Sequence, residues 1–283
     1  MAGWFLHGLL TGIDLAAIAL GFYLFMRVCR TMNFSYGGVI VLAPYVLGTF
    51  IDGGHPLIAG VFSICCASVL AIGLEASAFA ALRRRNAQPV VSLVASLGLF
   101  VMIQSLLQIF WGPERKALGS PTAAGLVIDD FHLSYAGLAL KGLCVLSILG
   151  LYVFLFRTRT GSKLRALSCD ADLANAVGIS SRQLFLLCSG IAAGFGAIGA
   201  LSTSLQFGYD AQMGQDLLFL VFPAVILGGR TYLGVIFSSI AIQMLRVGGL
   251  RFMPKHAVEL ILFSLVIVVL LVSALFARRR RTG

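Results

Sequence analysis

Asp14 stands in the middle of an apolar run, LHGLLTGIDLAAIALGFYLF, with His7 seven residues earlier on the same helical face. An ionisable group at membrane depth is costly unless paired or hydrated, so such an acid marks either a solute or proton path or a helix–helix partner. Both roles stay open for Asp14: a path-lining carboxylate, or an acid protonated or paired with Lys141, the basic residue inside another apolar run. Snorkelling toward the surface is the simplest expectation for Lys141 itself. Glu75 precedes Arg83, Arg84 and Arg85 by two to three turns, and a structural ion pair is expected there.

Catalytic chemistry finds little support. His7, His55, His132 and His256 have no partner at metal-ligand spacing. Six cysteines form no CxxC pair and read as small packing residues, so neither a metal site nor a disulfide framework is expected. No GxxxxGK[ST] stretch occurs, so any ATP and Mg must be held by a partner, and no cofactor is expected in this chain.

The stretch RALSCDADLANAVGIS, 165–180, is polar between two long apolar segments. Ser168 is placed as an N-cap, Asp170 and Asp172 fall where the helix dipole favours acids, and Gly178 is placed to end the helix. A helix over 169–177 follows, with Ala171, Ala174 and Gly178 forming a flat side that suits a docking partner. Much earlier in the chain, Asn33-Phe34-Ser35-Tyr36-Gly37 combines an amide, a hydroxyl and two aromatics where the chain re-enters an apolar region, and its local chemistry is that of a turn and helix cap. In SGIAAGFGAIGALS, Gly190 and Gly194 form a GxxxG pair that Gly196 and Gly199 extend, the pattern of close helix contact where no hydrophobic effect drives association.

The elements that carry these residues follow from composition. Of 283 residues, 59% are hydrophobic and 11% charged, which describes a polytopic membrane protein. The formal charge of +10 sits in short loops, not on one soluble face, so nucleic acid is excluded as a partner. Spans of about 20 apolar residues are expected near 5–26, 34–50, 57–81, 89–111, 134–156, 184–205, 214–228, 233–248 and 257–276, about eight to nine in all. The stretches 34–50 and 214–228 are short and carry Pro44 and Pro223, so broken or re-entrant helices are expected there. The fold class is an all-α transmembrane bundle in one domain, 1–283, with a cytoplasmic loop near 157–183. The N-terminus lacks a cleavable secretory signal. Fifteen Lys and Arg lie on one side and five on the other, which places the N-terminus outside and the C-terminus in the cytoplasm. Arg278 to Arg281 are attracted to anionic lipid headgroups.

Three stretches resemble the permease subunits of ATP-binding-cassette importers of the branched-chain amino acid type. The first is Arg165-Ala166, Asp170, Ala174 and Gly178-Ile179, similar to that family's coupling loop. The second is the opening segment ending in Asn33 to Gly37, where the family shows an Asn-Phe-Ala-His-Gly-like motif. The third is Leu227-Gly228-Gly229 with Gly234. The resemblance runs from about 6 to 245. It implies a non-catalytic translocation subunit in the bacterial inner membrane. It also implies two cytoplasmic ATPase subunits, a second permease (related or identical) and an extracytoplasmic solute-binding protein. Within the chain it implies a coupling helix carrying Arg165, Asp170, Ala171, Ala174, Gly178 and Ile179, and a path near Asp14, Asn33, Phe34, Tyr36 and Gly37. An ion-coupled secondary transporter is the alternative, but it calls for several buried acids.

Overall fold

A computed structural model describes residues 2–29, 31–51, 55–85, 87–118, 125–128, 131–178, 180–229 and 231–250, with scattered positions between 253 and 268. The expected span at 257–276 lies mostly outside the described residues.

Among the described residues, six apolar helices are long enough to cross a bilayer. They are α1 (Ala2–Cys29), α3 (Pro56–Leu74) continued through a π-helical turn at Glu75–Phe79 into α4 (Ala80–Arg84), α5 (Pro89–Trp111), α6 (Tyr135–Arg157), α9 (Ser181–Phe207) and α11 (Tyr232–Gly249). Two shorter ones, α2 (Ser35–Phe50) and α10 (Met213–Gly228), have 16 residues each. At 1.5 Å per residue they reach about 24 Å, short of a roughly 30 Å hydrocarbon core. They were expected to be broken or re-entrant; the break is not found, since both run continuously through Pro44 and Pro223. The amphipathic α7 (Arg159–Cys169) and the single-turn α8 (Ala171–Ala176) connect α6 to α9.

Burial divides the helices into two classes. Of the apolar stretch of α1, 78% is buried, and of α9, 61%; the other four keep 22–28% buried and turn most of their surface outward. The sequence explains the difference. The buried part of α1 is dense in alanine and glycine (Ala16, Ala17, Ala19, Gly21), and α9 carries its small-residue face, so neighbours approach both closely. Accordingly α1 packs on α11 and α9, α3 on α2 and α9, and α6 on both α1 and α9.

One element was not expected. Gly125–Ile128 and Phe131–Ser134 pair as an antiparallel hairpin, β1 and β2, immediately before α6. Two short runs separated by two residues are a hairpin signal. Nearby, Lys116 and Tyr209 exchange backbone hydrogen bonds of 2.9 and 2.8 Å, tying the segment after α5 to the α9–α10 link. Burial there pushes the Tyr209 phenol above its usual pKa.

Candidate functional site

Asp14 is 1% exposed and sits where α1, α6 and α9 meet. Its Oδ2 accepts from Lys141 Nζ at 2.6 Å and its Oδ1 from Ser202 Oγ at 2.7 Å. Lys141, itself 3% exposed, also donates to the Leu10 carbonyl at 3.4 Å. Of the two roles open to Asp14, this geometry supplies the pairing, and it corrects the expectation for Lys141. The ammonium turns inward to a counter-ion instead of reaching for the surface, because a carboxylate in the bundle offers more than a long route to water. Ser202 was missed; it extends the polar edge of α9 and completes the carboxylate's bonding. His7 shares the Asp14 face but packs edge-on to Phe207, with ring centroids 6.1 Å apart.

Residues 33–37 build the entry to α2. Asn33 Oδ1 accepts from the Ser35 amide at 3.0 Å and the Ser35 hydroxyl at 2.5 Å, the turn-and-cap role expected for it. Phe34 stacks on Phe222 of α10 at 5.2 Å. The Tyr36 hydroxyl is buried between two helices, 2.9 Å from the Ile18 carbonyl of α1 and 3.3 Å from the Ala192 carbonyl of α9. It fits because Gly21 and Gly196 leave the room: a Cβ at either position would collide with the hydroxyl. A Cβ on Gly37 would stand 2.9 Å from the Gly214 carbonyl, so the short helices α2 and α10 touch backbone to backbone.

The α9 glycines serve two sides of that helix. Gly190 and Gly194 face α3, where an added Cβ would meet Ile72 at 2.8 Å and Ser68 Oγ at 3.1 Å. Gly196 faces Tyr36, and Gly199 faces α1, where a Cβ would lie 2.8 Å from the Asp14 carbonyl. On the same α9-facing side, just beyond the end of α3, the expected ion pair forms. Glu75, at the π-helical turn and 1% exposed, accepts from Arg83, whose guanidinium lies 4.4 Å above the Phe185 ring.

The polar stretch after α6 folds as a bent arm. Thr158 caps α7, accepting from the Gly161 amide at 3.0 Å; Leu164 and Leu167 are buried, and Arg165 lies 5.0 Å over Phe156. The chain then turns at Asp170, whose Oδ1 accepts from the Leu173 amide at 3.1 Å. Asp170 is therefore the cap of α8. The expected cap, Ser168, lies inside α7 and bonds back to the Arg165 carbonyl at 2.7 Å, since a hydroxyl within a helix turns to the preceding turn. Gly178 takes φ +85°, as its terminating role requires. Ala171 opens α8, although its side chain is outside the described residues, as is all of Ile179.

The exposed side of α8 differs from the expected one. Ala174 is 5% exposed and belongs to the core, while Leu173 (64%) and Val177 (75%) project outward. Of the flat side expected from Ala171, Ala174 and Gly178, Ala174 is covered by the bundle while Gly178 stays exposed.

A sequence model for the branched-chain amino acid transport system permease component matches residues 4–275. The chain belongs to this family. As a permease component it is similar, at 23% identity over 94% of its own length and 91% of the relative's, to the high-affinity branched-chain amino acid transport system permease protein BraD of Pseudomonas aeruginosa. It is equally similar to LivH of Escherichia coli strain K12, with the same identity and coverage. A probable branched-chain amino acid transport permease protein LivH of Methanocaldococcus jannaschii is 25% identical over 77% of the permease and 71% of the relative. Among solved structures, PsaBC from Streptococcus pneumoniae in complex with Fab aligns with a TM-score of 0.52 and 15% identity, covering 93% of the permease and 90% of that chain. That likeness shows the fold. The permease is a multi-pass membrane protein of a transport system.

Proposed function

We propose that the permease forms, as one domain of eight to nine spans over 1–283, half of the translocation path of an ATP-driven importer in the bacterial inner membrane. Its solute is a branched-chain amino acid, as in the names of its relatives, or a related small polar molecule. The C-terminus and the α7–α8 arm face the cytoplasm, in keeping with the fifteen-to-five distribution of Lys and Arg. Two ATPase subunits supply ATP and Mg there, a second permease completes the path, and a binding protein delivers solute from outside.

The observation that carries this reading is the α7–α8 arm. Leu173 and Val177 are apolar, four residues apart and exposed at the end of a segment anchored by Leu164 and Leu167. Two such side chains on a rigid arm suit a groove in a partner. With Asp170 and Gly178 fixing its ends, α8 transmits ATPase closure to α6 and α9. The ion-coupled alternative is weakened because Asp14 and Glu75 are each paired with a cation.

Leu173→Glu combined with Val177→Glu is expected to abolish co-purification of ATPase subunits while the permease still inserts and remains monodisperse. Retained ATPase in that variant refutes the docking role.

A further inference from the structure

Behind the turn at Asn33 lies a small cavity, bounded by Phe25 of α1, Asn33 and Ser35 at the entry to α2, Ala71 of α3 and Ser189 of α9. It encloses about 10 Å³, at the lower bound of the roughly 10–15 Å³ that one water molecule needs and far too small for an organic solute. Its polar lining is deep in the bundle, since Asn33, Ser35 and Ser189 are all buried. Among the described residues around it there is no charged side chain.

The hydrogen bonds already made leave complementary groups over. Asn33 Oδ1 accepts from both the amide and the hydroxyl of Ser35, which fixes the oxygen of the side-chain amide on that side and turns its NH2 group the other way. Among the described residues that NH2 group donates to no other group. Ser35 Oγ and Ser189 Oγ each give their one proton away, to Asn33 Oδ1 and, at 3.1 Å, to the Ala71 carbonyl, and so keep lone pairs to offer. A space for one molecule between an amide donor and two hydroxyl acceptors calls for a ligand that accepts and donates at once. The residue type at position 33 agrees. Serine or aspartate would cap the turn as well as asparagine, but only an amide adds donors to the cap.

We propose that this cavity is the binding site of one structural water, which accepts from Asn33 Nδ2 and donates to Ser35 Oγ and Ser189 Oγ. The water ties the entry of α2 to α9 and, through the bond from Ser189 to Ala71, to α3. Asn33 is a positioning residue that acts on two sides: its oxygen caps the turn into α2, and its nitrogen holds the water. The inference concerns the interior of the bundle and does not depend on any ATPase or solute.

The test is radiolytic hydroxyl labelling of the purified full-length permease, which marks side chains beside bound water whether or not they reach the surface. Phe25 lines the cavity, whereas Phe22, just as buried and 5.6 Å from the Tyr36 ring, does not. Label at Phe25 several-fold above that at Phe22 is expected, and equal labelling of the two overturns the proposal. Ala71→Val fills the cavity from α3. It is expected to abolish the Phe25 label and to lower the thermal midpoint by about 5 °C, because the Asn33 donors lose their acceptor. A midpoint at or above wild type, the result of filling a dry void, overturns the proposal, and so does a Phe25 label that persists. If Ala71→Val does not fold, Val39→Ile fills the same cavity from α2 and carries the same two expectations.

Discussion

Replacing Lys141 by methionine keeps the length of the side chain and removes the cation that faces Asp14 at 2.6 Å. Both groups are nearly sealed from solvent, at 3% and 1% exposure. The carboxylate that remains must ionise without a counter-ion or take up a proton, and breaking a buried pair on one side typically costs about 3–5 kcal/mol. For a chain of this size that corresponds to a fall in thermal midpoint on the order of 10 °C. Asp14→Asn strands the ammonium instead and also weakens the bond from Ser202, so a loss of similar size is expected. Combining Lys141→Met with Asp14→Asn leaves no unpaired charge, and such neutral replacements are often close to the original in stability. The double variant should therefore recover most of what either single variant loses, a large coupling between side chains 127 positions apart. Unfolding in detergent, followed by tryptophan fluorescence or by loss of the monodisperse peak, measures the cycle. Strictly additive losses, or a Lys141→Met midpoint equal to wild type, refute the ion pair as a structural tie. Uptake by the double variant in membrane vesicles then separates the two roles of Asp14: a tie alone predicts transport near wild type, and a path-lining carboxylate predicts its loss.

Two further substitutions probe the packing. Gly199→Ala places a methyl 2.8 Å from a backbone carbonyl and should cost about 1–3 kcal/mol, whereas Gly194→Ala meets the Ser68 hydroxyl at 3.1 Å and Ile64 at an ordinary 3.9 Å and should be close to neutral; thermal unfolding of the two, side by side, checks the contrast. Tyr36→Phe should lower stability by about 0.5–1.5 kcal/mol in the same assay, because it removes the hydroxyl aimed at Ile18 and Ala192 and leaves the ring in place.

What the sequence made legible was local or compositional. The long spans follow from apolar length, and the shortness of α2 and α10 from the same count. Gly178 was readable because a positive φ at a helix end favours one residue type, and Glu75 because Arg83 lies within reach on the same helix. The Leu227-Gly228-Gly229 stretch with Gly234 acquires a physical reason: a Cβ on Gly228 would stand 2.5 Å from the Val235 Cα, so α10 and α11 meet at their backbones. Choices that depend on tertiary neighbours were not readable. Ala174 and Leu173 are adjacent in a six-residue helix, and only the position of the bundle decides which one is covered. Lys141 could be named as a partner for Asp14, but whether it turned inward depended on α6 lying against α1. The cap moved from Ser168 to Asp170 because α7 continues through Ser168 to Cys169.

The tie among Asp14, Lys141 and Ser202 has a mechanical consequence. Lys141 is 16 residues before the end of α6 at Arg157, and Ser202 is 21 residues after the start of α9 at Ser181. At 1.5 Å per residue these arms are about 24 and 32 Å long. Both helices that hold the α7–α8 arm are thus pinned to α1 at the ends distant from it. A tilt of about 5° about that pin carries the near ends through roughly 2–3 Å, a helix-shift-sized stroke obtained with no break in the buried charge pair. The ion pair acts as a fulcrum, and its distance from the arm sets the leverage.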